Sequence, residues 1–177
     1  MRIVIMTDTY PPFINGVSTS TYNLAQALKK NGHEVLLVVP RATDEPTAYI
    51  GDTIYMSGIE LKGFYGYRMT KIYSNKVFIW IKNFKPDIIH IQTDFTIGQF
   101  GKIVARKLPR VATVYTYHTA YEDYTHYVAR GMADRFIKRF VRNYSKNQAR
   151  MMTEYITPSD KTMNYMRSTG SDDYINV

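Results

Sequence analysis

The chain has 177 residues, a length typical of one domain or at most one and a half. It carries 23 Lys and Arg against 15 Asp and Glu, a formal net charge of +8, and 45% hydrophobic residues, which excludes disorder as its main state. Because it contains no Cys, disulfide scaffolds, thiolate metal sites and thiol nucleophiles are excluded, and a reducing, cytoplasmic setting is expected.

The first forty residues predict a strand–helix–strand unit. Arg2–Met6 is a β-branched and apolar run that predicts the first strand and is too short for the core of a signal peptide. Apolar residues recur at helical spacing from Val17 to Asn31, and Gly32 follows as a helix stop. The continuous apolar run Val35–Val39, ended by Pro40, is typical of a strand buried on both faces of a parallel sheet.

The same alternation continues to the end of the chain. Further strands are predicted at Thr53–Met56, Asp87–Gln92, Val111–Tyr117, Tyr155–Thr157 and Tyr174–Val177. Further helices are predicted at Asn75–Phe84, Gly98–Lys107, Ala129–Met152 and from Ser159 or Asp160 to Arg167. Strands separated by helices predict a three-layer α/β domain with a mainly parallel sheet. Because the chain stops in an entering strand, we interpret it as the N-terminal half of a larger protein.

Ligands of open parallel sheets bind beyond the carboxyl ends of the strands, so the loops after Met6, Gln92 and Tyr117 are the candidate site. Gly16 stands directly before a helix, where free backbone N–H groups accept an anion and a missing side chain lets a phosphate approach. The alternative is that Gly16 only relieves a turn. Neither G-x-G-x-x-G nor the P-loop motif is present, which disfavours a dehydrogenase or a P-loop ATPase.

Of the four His residues, His118 and His126 are the loop candidates. A structural role is the alternative for a single His, but His118 is favoured for a function because it ends a buried strand and is followed by clustered carboxylates. His33 is expected in a surface turn between helix and strand, and His90 inside a strand. His118 and His126 are eight residues apart and lack H-E-x-x-H spacing, which disfavours a metal site. A Ser-His-Asp hydrolase is disfavoured because G-x-S-x-G is absent.

Several short motifs occur together in one order along nearly the whole chain: Asp8-Thr9-Tyr10-Pro11-Pro12, Asn15-Gly16-Val17-Ser18, Asn31-Gly32-His33-Glu34-Val35, Pro86-Asp87-Ile88-Ile89-His90, Tyr117-His118-Thr119 and Pro158-Ser159. In this combination the sequence resembles the N-terminal domain of retaining glycosyltransferases with the GT-B fold. The segment from Tyr117 to Tyr127 most resembles bacterial 1,2-diacylglycerol 3-glucosyltransferases.

The resemblance implies a Rossmann-like domain that binds the acceptor, while the C-terminal nucleotide-sugar domain is absent from this chain. It implies transfer of a sugar from a nucleotide donor, UDP-glucose, to a lipid such as diacylglycerol, with no separate cofactor and no metal. The domain alone is expected to be inactive. The backbone of Gly16 and Val17 would then bind the donor diphosphate, and His118 would be the catalytic residue near the donor sugar.

Acceptor-side residues implied by the resemblance are Asp94, Thr119 and Tyr121. Asp94 has a purely structural alternative, since it could cap the helix that follows it. No carboxylate pair with glycosidase-like separation can be read from the sequence, so a double displacement lacks an obvious nucleophile. The resemblance implies same-face substitution instead, in which the departing phosphate takes the acceptor proton.

Residues 61–85 contain six Lys and Arg and no acidic residue, interleaved with aromatic residues. This pattern predicts contact with an anionic membrane, and hence a peripheral position on the inner face of the cell membrane. The predicted contacts are Lys62, Phe64, Tyr65, Tyr67, Arg68 and Lys71. The aromatic and aliphatic residues of the 75–84 helix have an alternative role as an ordinary core face.

Three other functions remain open from the sequence. A glycosyltransferase with a non-lipid acceptor fits the same motifs. Nucleic-acid binding would explain the positive charge, but no helix-turn-helix, RNP-like or zinc-knuckle context is present. A non-catalytic receiver-type module needs an acidic pair at the end of the first strand, and only Asp8 is placed suitably.

Overall fold

The computed structural model describes residues 1–61, 67–118, 143, 152–168 and 175–176. They fall into two units, Met1–Thr113 and Val114–Val177. No helix among the described residues is both long enough and apolar enough to cross a bilayer.

The strands and helices alternate as the sequence predicts. The strands are β1 (Arg2–Met6), β2 (Glu34–Pro40), β3 (Ala48–Ile50), β4 (Thr53–Met56), β5 (Gly58–Glu60), β6 (Arg68–Thr70), β7 (Ile88–Ile91), β8 (Ala112–Thr116), β9 (Glu154–Ile156) and β10 (Ile175–Asn176). The helices are α1 (Gly16–Lys30), α2 (Asn75–Phe84), α3 (Thr96–Lys107) and α4 (Asp160–Ser168). Except for Asn143 and Met152, the helix predicted at 129–152 lies outside the described residues.

The first unit contains a mainly parallel sheet in the order β7-β1-β2-β4-β3. Strands β7, β1, β2 and β4 run parallel, and β3 is antiparallel to β4 at the edge. In the central register Ile5 lies between Leu37 and His90. The fully buried apolar residues of β1 and β2 explain this arrangement, because strands covered on both faces carry continuous apolar runs.

Helices cover both faces of this sheet. Alternate residues of a strand point to opposite faces, and Ile3 and Ile5 of β1 form a buried cluster with Ala25 of α1. On the other face Gly101 of α3 lies against Met6, where an added Cβ would be 3.2 Å from the Met6 sulfur. The three-layer α/β prediction is therefore confirmed.

The second unit contains a parallel arrangement of β8, β9 and β10, and β8 itself begins at the end of the first unit. The Tyr117 N–H extends the pairing after β8 by donating to the Ile156 carbonyl at 2.9 Å. Helix α4 begins after Ser159, whose hydroxyl oxygen accepts from the Thr162 N–H at 3.3 Å. Ser159 is thus the cap, one of the two residues that the sequence offered.

The sequence analysis missed two features of the first unit. One is the edge strand β3, and the other is a two-stranded antiparallel ribbon formed by β5 and β6. Each of these strands has only three residues, too few to show a period. The backbones pair closely at Gly58, where an added Cβ would lie 2.9 Å from the Met69 carbonyl oxygen.

Candidate functional site

The carboxyl ends of β1 and β7 are neighbours in the sheet, with Met6 paired to Ile91. The loops that follow them are joined by the buried side chain of Asp8. Its carboxylate accepts from the Thr93 hydroxyl at 2.6 Å and the Thr96 hydroxyl at 3.1 Å. The Asp8 N–H in turn donates to the Thr93 hydroxyl oxygen at 2.9 Å.

The same carboxylate caps helix α3 from the loop after the neighbouring strand β1. It accepts from the N–H of Ile97 at 2.6 Å and of Gly98 at 3.1 Å, two of the donors that a helix start leaves unpaired. Burial raises the pKa of Asp8, and the four donors oppose that rise. Asp8 therefore has a structural task, which the sequence did not indicate because its partners lie about 85 to 90 residues away.

Gly98 is required by this arrangement. An added Cβ at Gly98 would lie 1.9 Å from the carbonyl oxygen of Thr93 and 2.5 Å from its carbonyl carbon. Only a residue without a side chain lets α3 start this close to the loop after β7. The tight approach in turn brings the Gly98 N–H to Asp8.

Asp94 does not cap α3, so the structural alternative predicted for it is wrong. The residue at the N-cap position is Phe95, and it makes no side-chain capping bond. The Asp94 carboxylate instead forms an ion pair with Lys102 of α3, and their side chains are 10% and 2% exposed. The backbone oxygen of Asp94 accepts from the Gln99 amide at 2.8 Å.

Helix α1 starts at the same edge of the sheet but is capped differently. The Asn15 side-chain oxygen accepts from the Ser18 N–H at 2.9 Å, and the Asn15 amide donates to the Thr9 hydroxyl at 2.8 Å. Within the part of the chain that the structure describes, the N–H groups of Gly16 and Val17 meet no acceptor. The first turn of α1 contains no acidic residue.

Gly16 is not needed for the turn, in contrast to the alternative that the sequence left open. Its φ lies outside the left-handed region, and an added Cβ would meet no atom within 4 Å. The backbone at Gly16 is thus exposed and open to approach by a ligand.

His118 belongs to the second unit, two residues after the end of β8, and is half-buried. Burial lowers the pKa of His118, which favours the neutral form of its imidazole. The other His predictions within the described residues are confirmed: His90 is buried in β7, and His33 lies in the turn between α1 and β2. Thr119 and Tyr121 lie outside the described residues.

Among the predicted membrane contacts, Lys62, Phe64 and Tyr65 also lie outside the described residues. Lys71 is exposed. Tyr67 is half-buried and packs edge-on against Phe95 with ring centroids 6.4 Å apart. Burial, followed by the nearby charge of Asp8, raises the pKa of Tyr67.

The prediction that Arg68 presents its charge to a membrane is wrong. Arg68 is 3% exposed, and its guanidinium is held inside the first unit. It donates to the Gly58 carbonyl at 2.6 Å and forms an ion pair with Asp44. A buried guanidinium needs such partners, and the pairing of β5 with β6 brings the Gly58 carbonyl within its reach.

Helix α2 has the core face that the sequence analysis gave as an alternative. Val77 and Ile81 are fully buried. The opposite face carries Ile79, which is exposed, and Lys76, whose ammonium lies 4.8 Å from the centroid of the Trp80 ring. Among the described residues no cluster of three His, Asp or Glu side chains has the geometry of a metal site.

Comparison with known proteins places these features in a family context. Residues 14–177 match the family model described as Glycosyltransferase Family 4. The chain is 36% identical over 151 residues to the alpha-monoglucosyldiacylglycerol synthase of Acholeplasma laidlawii, covering 84% of this chain and 36% of that protein. It is also 36% identical over 146 residues to the protein of the same name from Streptococcus pneumoniae, covering 81% and 33%. The chain thus spans about a third of the length of these relatives.

Among solved structures, sucrose-phosphate synthase from Thermosynechococcus elongatus aligns with a TM-score of 0.57 and 15% identity. The alignment covers 94% of this chain and 44% of that one. At this level of identity the likeness shows a shared fold alone. That fold is the one predicted, the N-terminal half of a GT-B arrangement.

Proposed function

The chain belongs to glycosyltransferase family 4, and from this membership we propose that it is the acceptor-binding N-terminal domain of a retaining hexosyltransferase. Its donor is UDP-glucose, and its acceptor is a membrane lipid such as diacylglycerol. The observation that carries the proposal is the 36% identity, over more than four-fifths of the chain, to two proteins named as monoglucosyldiacylglycerol synthases. A C-terminal domain would supply most contacts to the nucleotide, so this domain alone is inactive.

The donor diphosphate binds at the start of α1. The N–H groups of Gly16 and Val17 donate to the β-phosphate, which gains negative charge as the bond to the sugar breaks. The open space over Gly16 and the absence of an acid in the first turn of α1 support this role. The dipole of the 15-residue helix adds to the stabilisation, and no metal is required.

In the transfer step, the acceptor oxygen forms a bond to the anomeric carbon on the face from which the diphosphate departs. The bond from that carbon to the phosphate oxygen breaks, and the departing phosphate takes the proton of the acceptor hydroxyl. His118 touches the donor sugar as a neutral imidazole. A neutral ring can both donate and accept a hydrogen bond, which suits the orientation of a sugar hydroxyl.

The acceptor binds beside Asp94, Thr119 and Tyr121. The ion pair with Lys102 fixes the position of the Asp94 carboxylate, whose side chain is 10% exposed. A hydrogen bond from that hydroxyl to the carboxylate would orient the acceptor for attack.

The domain binds peripherally to the cytoplasmic face of the cell membrane. Lys62, Phe64, Tyr65, Tyr67 and Lys71 remain the proposed contacts, without Arg68. The support is the absence of acidic residues from 61 to 85 and the exposure of Lys71.

The decisive experiment uses the full-length protein with radiolabelled UDP-glucose and diacylglycerol in mixed vesicles. We expect a glucolipid with the α configuration, and a loss of at least about 10²-fold in kcat for His118→Ala with an unchanged circular dichroism spectrum. Wild-type turnover by that variant would remove His118 from the site. Failure to glucosylate any lipid, with transfer to a water-soluble acceptor instead, would overturn the proposed acceptor class.

Vesicle flotation tests the membrane association separately. Binding should rise with the fraction of anionic lipid and fall with salt, since the attraction is between exposed Lys residues and lipid headgroups. Equal binding to neutral vesicles, or a preference for duplex DNA, would contradict it.

A further inference from the structure

The N-cap position of helix α3 is occupied by a residue that cannot cap. This position favours Ser, Thr, Asp and Asn, whose side chains accept from the free N–H groups of the first turn. Here it is Phe95, which makes no side-chain capping bond. The Asp8 carboxylate accepts from the N–H groups of Ile97 and Gly98 instead. Because Asp8 performs the capping, position 95 is free to carry a side chain for another purpose.

The Phe95 ring lies at the surface on a fixed support. Its side chain belongs to a residue that is 39% exposed. The Phe95 carbonyl accepts from the Gln99 N–H at 2.8 Å, which closes the first turn of α3. The ring packs edge-on against Tyr67, and the Tyr67 carbonyl in turn accepts from the Leu61 N–H at 2.9 Å. The exposed ring is therefore displayed in a defined position.

The residues on either side of Phe95 are fixed as well. Thr93 and Thr96 both donate their hydroxyl hydrogens to Asp8. The Asp94 carboxylate is held by its buried ion pair with Lys102. Segment 93–96 thus presents a carboxylate and an aromatic ring from consecutive residues on a rigid loop, as a binding site with defined geometry requires.

An exposed apolar side chain by itself is ordinary, and what distinguishes Phe95 is its neighbour. Consecutive Cα atoms are about 3.8 Å apart, so a ligand whose hydroxyl binds the Asp94 carboxylate brings its adjacent carbon atoms close to position 95. In a sugar those carbon atoms carry further hydroxyls, whereas in a glyceride they lead into ester groups and hydrocarbon. A carboxylate beside an apolar ring suits the second kind of ligand, because the ring gains from being covered by apolar surface.

We propose that Phe95 is a specificity-determining residue, whose ring covers the hydrocarbon next to the reacting hydroxyl of the acceptor while Asp94 binds that hydroxyl. The two residues would select a lipid with a free hydroxyl over a water-soluble sugar. The proposal rests on the proposed lipid acceptor and concerns the acceptor site, not the contact with the membrane. Such a contact is made equally in the bound substrate and in the transition state, so its loss raises KM for the acceptor and leaves kcat nearly unchanged.

The test uses the full-length protein with UDP-glucose and vesicles of phosphatidylglycerol and phosphatidylcholine in which the mole fraction of dioleoylglycerol is varied. Phe95→Ala should raise KM for the diacylglycerol at least about tenfold and leave KM for UDP-glucose unchanged. Phe95→Leu keeps a large apolar side chain, so its KM for the diacylglycerol should stay within about threefold of the wild-type value.

Two further variants separate acceptor binding from folding. Phe95→Asn introduces a residue that is favoured at an N-cap, so its thermal unfolding should match the wild type while its KM for the diacylglycerol rises as in Phe95→Ala. Tyr49→Ala is the matched control, because Tyr49 is 41% exposed and packs against a single ring, Trp80, with centroids 5.7 Å apart. Its KM for the diacylglycerol should equal that of the wild type. Flotation with the same vesicles checks that all variants bind the membrane equally.

The outcomes separate this inference from the proposed function. If Phe95→Ala glucosylates diacylglycerol with a wild-type KM, the inference is overturned while the proposed function stands. If Phe95→Ala loses vesicle binding and recovers a wild-type KM once enough vesicles are added to bind it fully, Phe95 is a membrane contact and the inference is overturned. If Phe95→Leu is as impaired as Phe95→Ala and the wild type transfers glucose to a sugar, the ring stacks on a sugar and the inference is again overturned. If the wild type glucosylates no lipid, the proposed acceptor class fails and the inference with it.

Discussion

Two glycines at the same edge of the sheet should respond oppositely to replacement by alanine. Gly98 lies in the first turn of α3 against the Thr93 carbonyl, whereas Gly16 is the first residue of α1 and borders open space. A Cβ at Gly98 would lie 1.9 Å from the Thr93 oxygen, while an ordinary contact begins at 3.4 Å. The backbone would have to move by about 1.5 Å to relieve the overlap, and backbone atoms yield less easily than the end of a side chain.

Such a movement would also break the hydrogen bonds that meet at Asp8. Thr93 lies 2.6 Å and the Gly98 N–H 3.1 Å from its carboxylate, so neither can shift by that distance and keep its bond. Overpacking costs about 1–3 kcal/mol, and a buried donor left unpaired costs about 1–3 kcal/mol more. We therefore expect Gly98→Ala to lower the free energy of unfolding by about 3 kcal/mol or more.

Gly16→Ala should leave the free energy of unfolding unchanged or raise it by up to about 1 kcal/mol. Alanine fits the φ of Gly16 without strain, and it restricts the unfolded chain more than glycine does. Urea unfolding followed by circular dichroism measures both effects on this chain. In the full-length protein Gly16→Ala should nevertheless reduce kcat/KM at least about tenfold, because the methyl group would keep the diphosphate from the N–H groups.

Equal destabilisation by the two substitutions would refute the assignment of Gly98 as structural and Gly16 as open. A Gly16→Ala variant with wild-type stability and wild-type kcat/KM would refute the diphosphate role alone.

Three further effects should be measurable. Lys102→Met removes the cation from the buried ion pair with Asp94 and should lower the free energy of unfolding by about 3–5 kcal/mol, as measured by urea unfolding. Lys29→Met breaks the exposed ion pair with Asp52 and should lower it by less than about 1 kcal/mol. Similar losses in the two variants would contradict the argument that the buried pair matters more. Asn15→Ala removes the cap of α1 and should cost about 0.5–2 kcal/mol, and no change would mean that the cap is not formed in solution. Because burial lowers the pKa of His118, its ring should titrate below pH 6.5 in an NMR pH series. The free energy of unfolding should therefore fall as the pH is lowered from 6.5 through the pKa of the folded state, where the buried ring becomes protonated. A pKa above 6.5 would contradict the burial.

The sequence predicted elements well where their residues carry a long pattern. β1, β4 and α2 match their predicted bounds, and α1 and α3 differ by one or two residues at their starts. The predicted start of α3 at Gly98 is two residues after the observed start at Thr96, and the structural reason for a glycine at position 98 is its close approach to the Thr93 carbonyl. The β5–β6 ribbon is invisible to a period search, since three residues cannot establish one.

The sequence predicts those parts of the site that depend on local position and misses those that depend on contacts between separate segments. The backbone at Gly16 is open, as an anion-binding position requires, and this follows from its place between a loop and a helix. The ion pair between Asp94 and Lys102 could have been suspected from their spacing of eight residues, which is close to two helical turns, but Asp94 lies before the helix. The sequence predicts a surface charge at Arg68, because no neighbouring residue in the sequence indicates that Asp44, 24 residues earlier, faces it.

The two helix starts at the carboxyl edge differ in one electrostatic respect. The start of α3 is already occupied by the Asp8 carboxyl group, which accepts from two of its N–H groups. The start of α1 is capped by the neutral Asn15 side chain, which takes one N–H and adds no negative charge. Since a helix start attracts one anion strongly and a second one weakly, a phosphate that reaches this edge would be drawn to Gly16 and Val17 rather than to Ile97 and Gly98. Under the proposed function, Asp8 would contribute to the selection of the diphosphate site by closing the competing helix start, while Asn15 caps the other helix without adding a negative charge.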